Sequence, residues 1–180
     1  MNLPLLLNRR SALGLVAAVA LPGCGFALRK PPNYPFQTIY LAMAPRSELR
    51  AVVRRSLEFN SKLRVLGETE DMQTADVILE VPGELREKVV MGLNAAGQVR
   101  EFTLRTRLRF RLRTPQGREL IPQTELLAER EIGFAETAAL AKAEEEALLY
   151  RDMQQDLLQQ MLRRLAAVRD LSGAEQLPTR

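Results

Sequence analysis

The chain has 180 residues, of which 46% are hydrophobic and 27% charged, so it can bury the core of one domain and is not broadly disordered. It contains no histidine, which excludes the commonest general base and metal ligand. Its single cysteine, Cys24, excludes an intrachain disulfide and a cysteine-cluster zinc site. Lysine and arginine outnumber aspartate and glutamate by 26 to 22, and this net charge of +4 favours an anionic partner.

The segment 1–23 has the pattern of a secretory signal peptide. Two arginines precede an apolar run that is too short for the roughly 20 residues needed to span a bilayer. The run ends in Leu21-Pro22-Gly23-Cys24, which resembles the lipobox of bacterial lipoproteins. That resemblance implies that Cys24 is acylated and becomes the mature N-terminus, whereas the alternative is a core cysteine that follows a signal. Gly25, in place of an aspartate, implies sorting to the outer membrane.

Removal of the signal weakens the argument from charge. Arg9 and Arg10 are the only charged residues of the segment 1–23, so the remainder has 24 basic and 22 acidic side chains and a net charge of +2. This excess does not argue for nucleic acid as a partner. The arginine pair also resembles a twin-arginine signal, so the general secretory and twin-arginine export routes both remain open.

The mature chain divides into three parts. Three prolines predict an extended, lipidated tether over residues 24–36, followed by a single domain over 37–169 and a flexible tail over 170–180. In the domain, β-forming residues at 38–43 predict a first strand, and Ser47 is the candidate N-cap of a helix that ends near Asn60. The apolar side of this helix carries Leu49, Val52, Val53 and Leu57. We expect Arg50, Arg54 and Arg55 to point largely away from that side.

Strands follow this helix. A short strand is predicted at 63–66, then a polar loop, then a long β-like stretch over 76–91. Pro82-Gly83 interrupts the long stretch, and because proline cannot donate to a β-ladder, the interruption predicts either an edge strand or a bulge. A hairpin loop is expected at 92–97.

The segment 101–113 alternates strictly between two kinds of side chain. A period of two predicts a strand with one buried face. The apolar face carries Phe102, Leu104, Thr106, Leu108, Phe110 and Leu112, and the other carries Arg105, Arg107, Arg109, Arg111 and Arg113.

A turn at 114–117 predicts a hairpin with a three-residue loop and Gly117 in the left-handed region. The register that follows pairs Leu112 with Leu120, Phe110 with Pro122, Arg113 with Glu119 and Arg107 with Glu125. The alternative, a two-residue loop, would place the like charges of Arg113 and Arg118 opposite each other.

One long helix is predicted over 137–168. Its apolar stripe consists of Tyr150, Met153, Leu157, Met161, Leu165 and Val168, flanked by Leu158 and Leu162. A coiled coil is an alternative, but one helix covering one sheet is the commoner use of such a stripe. The element order predicts an α+β fold, with two helices packed on one face of a mostly antiparallel four-stranded sheet.

Two motifs and this element order resemble the lipopolysaccharide-assembly lipoprotein family LptE. The motifs are Cys24-Gly25-Phe26-Ala27-Leu28-Arg29 at the mature N-terminus and Ala139-Leu140-Ala141-Lys142-Ala143-Glu144-Glu145 at the start of the last helix. The resemblance implies an outer-membrane lipoprotein that sits in the lumen of the LptD β-barrel, faces the periplasm, plugs the barrel and assists its assembly. It also implies binding of lipopolysaccharide, no cofactor and no covalent chemistry. The alternative is an outer-membrane lipoprotein that scaffolds a different envelope complex.

Candidate binding residues follow from the resemblance. It implies that Lys142 binds lipopolysaccharide, with a second basic residue in the loop before the long hairpin. Residues 92–97 contain no basic residue, so Lys88 and Arg100 are the possible substitutes.

The arginine stripe offers a second set of candidates. Arg105, Arg107 and Arg109 are weaker candidates for phosphate binding, because guanidinium groups match phosphate. The alternative is a solvated face neutralised by Glu119, Glu125 and Glu129. An enzyme using an acid pair such as Glu129 and Glu131 is disfavoured, since the chain has no histidine and no free cysteine to complete a nucleophile–base pair.

Overall fold

The computed structural model describes residues 33–59, 63–135, 139–169 and 171. The signal at 1–23, the tether before residue 33, the helix end at Asn60 and the tail apart from residue 171 lie outside the described residues. The elements are β1 (Thr38–Ala42), α1 (Glu48–Phe59), β2 (Arg64–Val65), β3 (Val77–Leu93), β4 (Val99–Arg113), β5 (Glu119–Gly133) and α2 (Ala139–Ala166), with a short 3-10 turn at Met72–Thr74.

The strands form one five-stranded sheet in the order β2-β1-β3-β4-β5. In the part of the chain that the structure describes, the α+β class and the two helices are confirmed, but the predicted count of four strands is wrong. Strand β1 is parallel to both β2 and β3, whereas β3, β4 and β5 form an antiparallel meander. The parallel part arises because α1 and the loop after β2 each return the chain to the end of the sheet where β1 began.

The core lies between the sheet and the two helices. Buried side chains from both helices and from the strands form one cluster, so α1 and α2 pack on the same face. Helix α2 contributes Met153, Leu157, Leu158, Met161, Leu162 and Leu165. The predicted arrangement of a long helix covering the sheet is therefore confirmed.

The core also extends N-terminal to β1. Tyr34 stacks on Phe36 with ring centroids 5.4 Å apart, and their side chains are 8% and 3% exposed. Burial raises the pKa of Tyr34 to about 12. Both residues belong to the segment that the sequence assigned to the tether, so the part from Tyr34 onward packs into the domain instead.

Helix α1 begins as predicted but buries an unexpected residue. The Ser47 hydroxyl accepts a hydrogen bond from the Arg50 amide at 3.1 Å, which confirms the N-cap. Arg50 was expected to point away from the core, yet it is 7% exposed. Its Nη1 donates to the carbonyl of Leu41 at 2.5 Å, and its Nε lies 3.3 Å from a carboxylate oxygen of Glu68. The guanidinium is buried because it donates hydrogen bonds to carbonyl oxygens at the end of β1. Without it, α1 and the loop would cover these carbonyl oxygens and leave them without this donor.

A bulge at Pro82 in β3 reverses which of its residues face the helices. Before the bulge, Leu79 lies opposite Leu112 on the buried face of β4. The register shifts between residues 80 and 83, and beyond it Lys88 lies opposite Leu104, again on that face. The odd-numbered residues of β3 thus face the helices on the N-terminal side of the bulge (below it), and the even-numbered residues face them on its C-terminal side (above it). Both predicted explanations of Pro82 are confirmed, because the bulge lies where the pairing of β3 with β1 has ended at Glu80, and from there on β4 is the only strand partner of β3 among the described residues.

The β4–β5 hairpin begins in the predicted register and then leaves it. Thr114 N donates to the Arg118 carbonyl at 2.8 Å, and Gly117 has φ 93°, so the three-residue loop is confirmed. Arg113 lies opposite Glu119 as predicted. The other three predicted pairs are wrong, because the register shifts by one residue on each side of Ile121, and the second shift spans Pro122, which lacks an N–H for the ladder. The observed pairs are Leu112 with Ile121, Phe110 with Thr124, and Arg107 with Leu127.

Candidate functional site

Two polar side chains and one backbone carbonyl of β3, all C-terminal to the bulge, contact α2 along one face of the helix. The contacts are spaced one helical turn apart, so they hold the long hairpin against the helix. They are Gln154 Nε2 to Glu84 Oε2 at 2.6 Å, the Tyr150 hydroxyl to the Glu87 carbonyl at 2.9 Å, and Lys88 Nζ to Glu146 Oε2 at 2.6 Å.

A cavity of about 130 Å³ lies where the N-terminal part of α2 meets the upper ends of the sheet strands. Lys142 from α2 and Lys88 from β3 both line it, beside the aromatic rings of Phe102 and Phe134. The two rings meet edge to face with centroids 5.5 Å apart, and Lys88 Nζ lies 4.2 Å from the Phe102 centroid. Two lysine ammonium groups beside an apolar wall can bind a ligand that carries an anionic group on a hydrophobic moiety. The volume suits one group of a larger ligand.

Both lysines of this cavity are ion-paired with α2. Lys88 Nζ is 2.6 Å from Glu146, and Lys142 Nζ is 2.8 Å from Glu145. The lysine side chains are 34% and 29% exposed, so each is half-buried and reaches solvent from the cavity wall. The site is therefore basic, but its charge is already partly neutralised.

The structure places Lys88 and Lys142 on the same cavity, and it places the other candidate residues from the sequence outside this cavity. Arg100 does not line the cavity, and its backbone carbonyl accepts a hydrogen bond from Phe134 N at 2.7 Å. The arginine stripe of β4 lies on the opposite face of the sheet, because Leu104 and its even-numbered neighbours face the helices. Lys142 and the stripe thus belong to separate surfaces.

The weaker candidates of the stripe each lie beside a carboxylate. Arg105 Nε is 2.5 Å from Glu129, and Arg109 Nε is 2.6 Å from Glu125. Arg107 lies 3.4 Å from Glu87 on β3 and 3.9 Å from Glu125 on β5. This is the neutralised face that the alternative interpretation expected, with β3 supplying carboxylates that the sequence analysis did not identify.

Glu80 of β3 completes this face at its lower end. Its carboxylate accepts hydrogen bonds from Arg111 Nε and Arg113 Nε at 2.5 Å each. The hydrogen bond from Arg111 is the main cause that lowers the pKa of Glu80, with a further contribution from Arg113. The Arg109 guanidinium likewise lowers the pKa of Glu125. These carboxylates are held in the charged form.

Sequence reasoning did not identify Lys88 and Glu146 as a contact. The signal that predicts it is Pro82 itself, because a one-residue bulge there moves Lys88 from the open face to the helix face. Without the bulge, the alternation that starts at Val77 places Lys88 on the other side of the sheet.

Within residues 33–59, 63–135 and 139–169, no group of three or more histidine, cysteine, aspartate or glutamate side chains is placed to hold a metal ion. Neither helix in the part of the chain that the structure describes has the length and apolarity required to cross a bilayer.

Comparison with known proteins decides the family. The model of the family "LptE: Lipopolysaccharide-assembly" matches residues 36–165, which is most of the chain and all of the sheet. The chain belongs to the LptE family. Family membership makes it a lipoprotein of lipopolysaccharide assembly in the cell envelope, a family that works with the lipopolysaccharide transport machinery and is not a family of enzymes.

Three solved structures of lipoproteins share this fold. An uncharacterized lipoprotein B from Nitrosomonas europaea is 31% identical with a TM-score of 0.68, covering 79% of this chain and 91% of that one. The rare lipoprotein B from Shewanella oneidensis shares the fold at 21% identity and a TM-score of 0.61, over 73% of this chain and 95% of that one. A minor lipoprotein from Acinetobacter baumannii shares the fold at 16% identity and a TM-score of 0.57, over 75% of this chain and 94% of that one. No curated protein matches this chain.

Proposed function

We propose that this LptE-family chain binds lipopolysaccharide through Lys142 and Lys88 and plugs the barrel of an LptD-type outer-membrane protein, whose assembly it assists. One observation carries the binding part of the proposal. Two lysines that are distant in sequence line one cavity, in a chain whose family is that of lipopolysaccharide assembly. Lys88 takes the place of the basic residue that is absent from the loop at 92–97.

The chemistry of the cavity supports a phosphorylated lipid as its ligand. Lysine binds phosphate as a point charge, and two lysines that line one cavity from α2 and β3 can contact different oxygens of the same group. Phe102, Phe134 and Ile132 provide apolar surface for the hydrophobic part of the molecule. The arginines of the stripe, Arg105, Arg107 and Arg109, stay weaker candidates because their carboxylate neighbours compete for them.

The shape of the sheet supports a plug. Strand β3 has 17 residues, which at roughly 3.3 Å each gives about 55 Å, more than the ~30 Å thickness of the hydrocarbon core. On the stripe face the arginines of β4 pair with glutamates of β3 and β5, so the face is largely polar and nearly neutral, with Leu85 and Leu127 as exposed apolar residues beside Arg107. Such a face suits the water-filled interior of a large barrel, whose lining is polar.

The N-terminal assignments complete the proposal. Residues 1–23 are a lipoprotein signal, Cys24 carries the lipid, and the tether leads to the folded domain at Tyr34. Two or more acyl chains on Cys24 give stable membrane anchoring, since one chain alone binds only marginally. Gly25 next to the lipid supports sorting to the outer membrane, and the proposed position inside the barrel lumen, facing the periplasm, follows from the proposed LptD-type partner.

Affinity purification from detergent-solubilised outer membranes tests the barrel partner. The tagged chain is expected to recover a large β-barrel protein together with lipopolysaccharide, and an unrelated tagged outer-membrane lipoprotein is the control. Recovery of a different envelope complex without a barrel would support the scaffold alternative and contradict the proposal.

A further inference from the structure

The lysines of the candidate site are occupied by carboxylates of their own chain. Glu146 both pairs with Lys88 at 2.6 Å and lines the cavity, and its side chain is 24% exposed. Glu145 pairs with Lys142 at 2.8 Å but does not line the cavity, and it is 49% exposed. Glu146 is thus the carboxylate that stands inside the site.

The position of Glu146 lets it serve either lysine. It follows Lys142 by four residues on α2, so the two side chains lie on the same face of the helix. It also holds Lys88 directly, across the contact between β3 and α2. Lys88 is fixed independently by the Phe102 ring at 4.2 Å, so its ammonium stays at the cavity when its carboxylate partner leaves.

We propose that Glu146 is an internal competitor for the anionic group of the ligand, and that binding requires a phosphate to displace the Glu146 carboxylate from Lys88. The inference rests on the proposed function, because it takes the cavity to be the lipopolysaccharide site. A ligand carboxylate would replace one singly charged group with another. A phosphate monoester carries a charge of about −1.5 to −2 and three acceptor oxygens, so it can bond both lysines at once. Glu146 therefore sets both the affinity of the site and its selectivity for phosphate.

This arrangement suits a protein that must release its ligand. A cavity with two unpaired lysines would bind a phosphorylated lipid tightly and release it slowly. A carboxylate that returns to Lys88 replaces the lost contact as the ligand departs, so the free energy of dissociation is lower. Transfer of the lipid to another site is correspondingly easier.

The test compares Glu146→Gln with Glu144→Gln in the purified protein, using phosphorylated lipopolysaccharide and the same material after removal of its phosphates. Glu144 is exposed on α2 outside the cavity, so its variant controls for the loss of one negative charge near an anionic ligand. Glu146→Gln is expected to raise the affinity for the phosphorylated lipid about fivefold, as removal of one competing ion pair implies, and to slow its dissociation. Glu144→Gln is expected to change affinity by less than about twofold, and neither variant should gain affinity for the dephosphorylated lipid.

The outcomes separate this inference from the proposed function. Equal binding by wild type and by Lys142→Asp and Lys88→Ala variants removes the cavity from the binding site, and the proposed function fails with it. Weaker binding by the lysine variants, combined with equal affinities for Glu146→Gln and Glu144→Gln, keeps the site and overturns the role of Glu146. Equal gains for phosphorylated and dephosphorylated lipid overturn the selectivity for phosphate.

Discussion

Lys88 of β3 and Glu146 of α2 form an ion pair of 2.6 Å between residues that are 58 positions apart in sequence. Their contact joins the long hairpin to the last helix beside the cavity that also contains Lys142. One turn further along α2, Tyr150 donates to the carbonyl of Glu87 in the same hairpin. The candidate site therefore depends on how firmly the hairpin is held against the helix.

The Tyr150 hydroxyl supports this attachment. Tyr150→Phe removes its 2.9 Å hydrogen bond and leaves a backbone carbonyl of β3 without that donor, which is expected to lower the free energy of unfolding by about 1 kcal/mol. Urea denaturation measures the change, and hydrogen exchange of the hairpin amides near Lys88 should accelerate. Tyr40→Phe on β1 removes the same atom outside this contact and is expected to have a smaller effect. Equal losses in the two variants would argue against a special role for Tyr150.

The buried guanidinium of Arg50 is expected to contribute more to the free energy of unfolding than the Tyr150 hydroxyl does. Arg50→Met removes the hydrogen bond to the Leu41 carbonyl and the ion pair with Glu68, and should cost about 2–4 kcal/mol because a buried acceptor loses its partner. Arg54→Met is the control, since Arg54 is exposed and pairs with Glu58 one turn along α1. Loss of this exposed ion pair is expected to lower the free energy of unfolding by about 0.5 kcal/mol. Chemical denaturation compares the two variants. Similar values for both would show that burial of Arg50 contributes little.

Glu80 makes stability depend on pH in the acid range. Arg111 and Arg113 lower its pKa in the folded state, so its contribution is fully present above the pKa of the unfolded chain and is lost as the pH falls through the folded-state pKa. The difference in unfolding free energy between wild type and Glu80→Gln should be about 1–3 kcal/mol near pH 7 and shrink below about pH 4. Glu119→Gln, at a half-exposed site 3.7 Å from Arg111, should show a smaller difference. A difference for Glu80→Gln that is constant down to pH 2 would contradict the assignment.

The lipid anchor is testable by fractionation. Cys24→Ala removes the acylated thiol, so the protein is expected in the soluble periplasmic fraction and without the mass of the acyl chains. Gly25→Asp keeps the thiol and is expected to leave the protein acylated but in the inner membrane. Unchanged membrane fractionation of Cys24→Ala would contradict the anchor.

Much of the fold could be predicted because its signals are local. The strict alternation over 101–113 identified the buried face of β4, and Ser47 identified the start of α1. The apolar stripe of α2 likewise identified the residues that enter the core. These patterns depend on one element at a time.

The rest depended on how elements meet, which a single sequence does not encode locally. Pro82 predicted a bulge, but the number of residues it adds decides whether Lys88 faces the helices. Shifts near Pro122 moved Glu125 from Arg107 to Arg109. Arg50 has the sequence pattern of a surface residue, and its burial depends on the carbonyl acceptors at the end of β1, which belong to another element. The candidate site was therefore only partly predicted: a motif identified Lys142, and Lys88 was one of two substitutes named from the sequence, but its place beside Glu146 depends on the bulge.

Binding of purified lipopolysaccharide by Lys142→Asp tests the central claim most directly. Arg151→Asp is the matched control, because it reverses one charge at an exposed position on the same helix, where Arg151 contacts the Ala147 carbonyl rather than the cavity. We expect Lys142→Asp to weaken binding by at least about tenfold, since a lysine contact is replaced by repulsion of the phosphate. Arg151→Asp should stay within about twofold of wild type. Equal affinities of wild type and Lys142→Asp, with both proteins folded, would contradict the account.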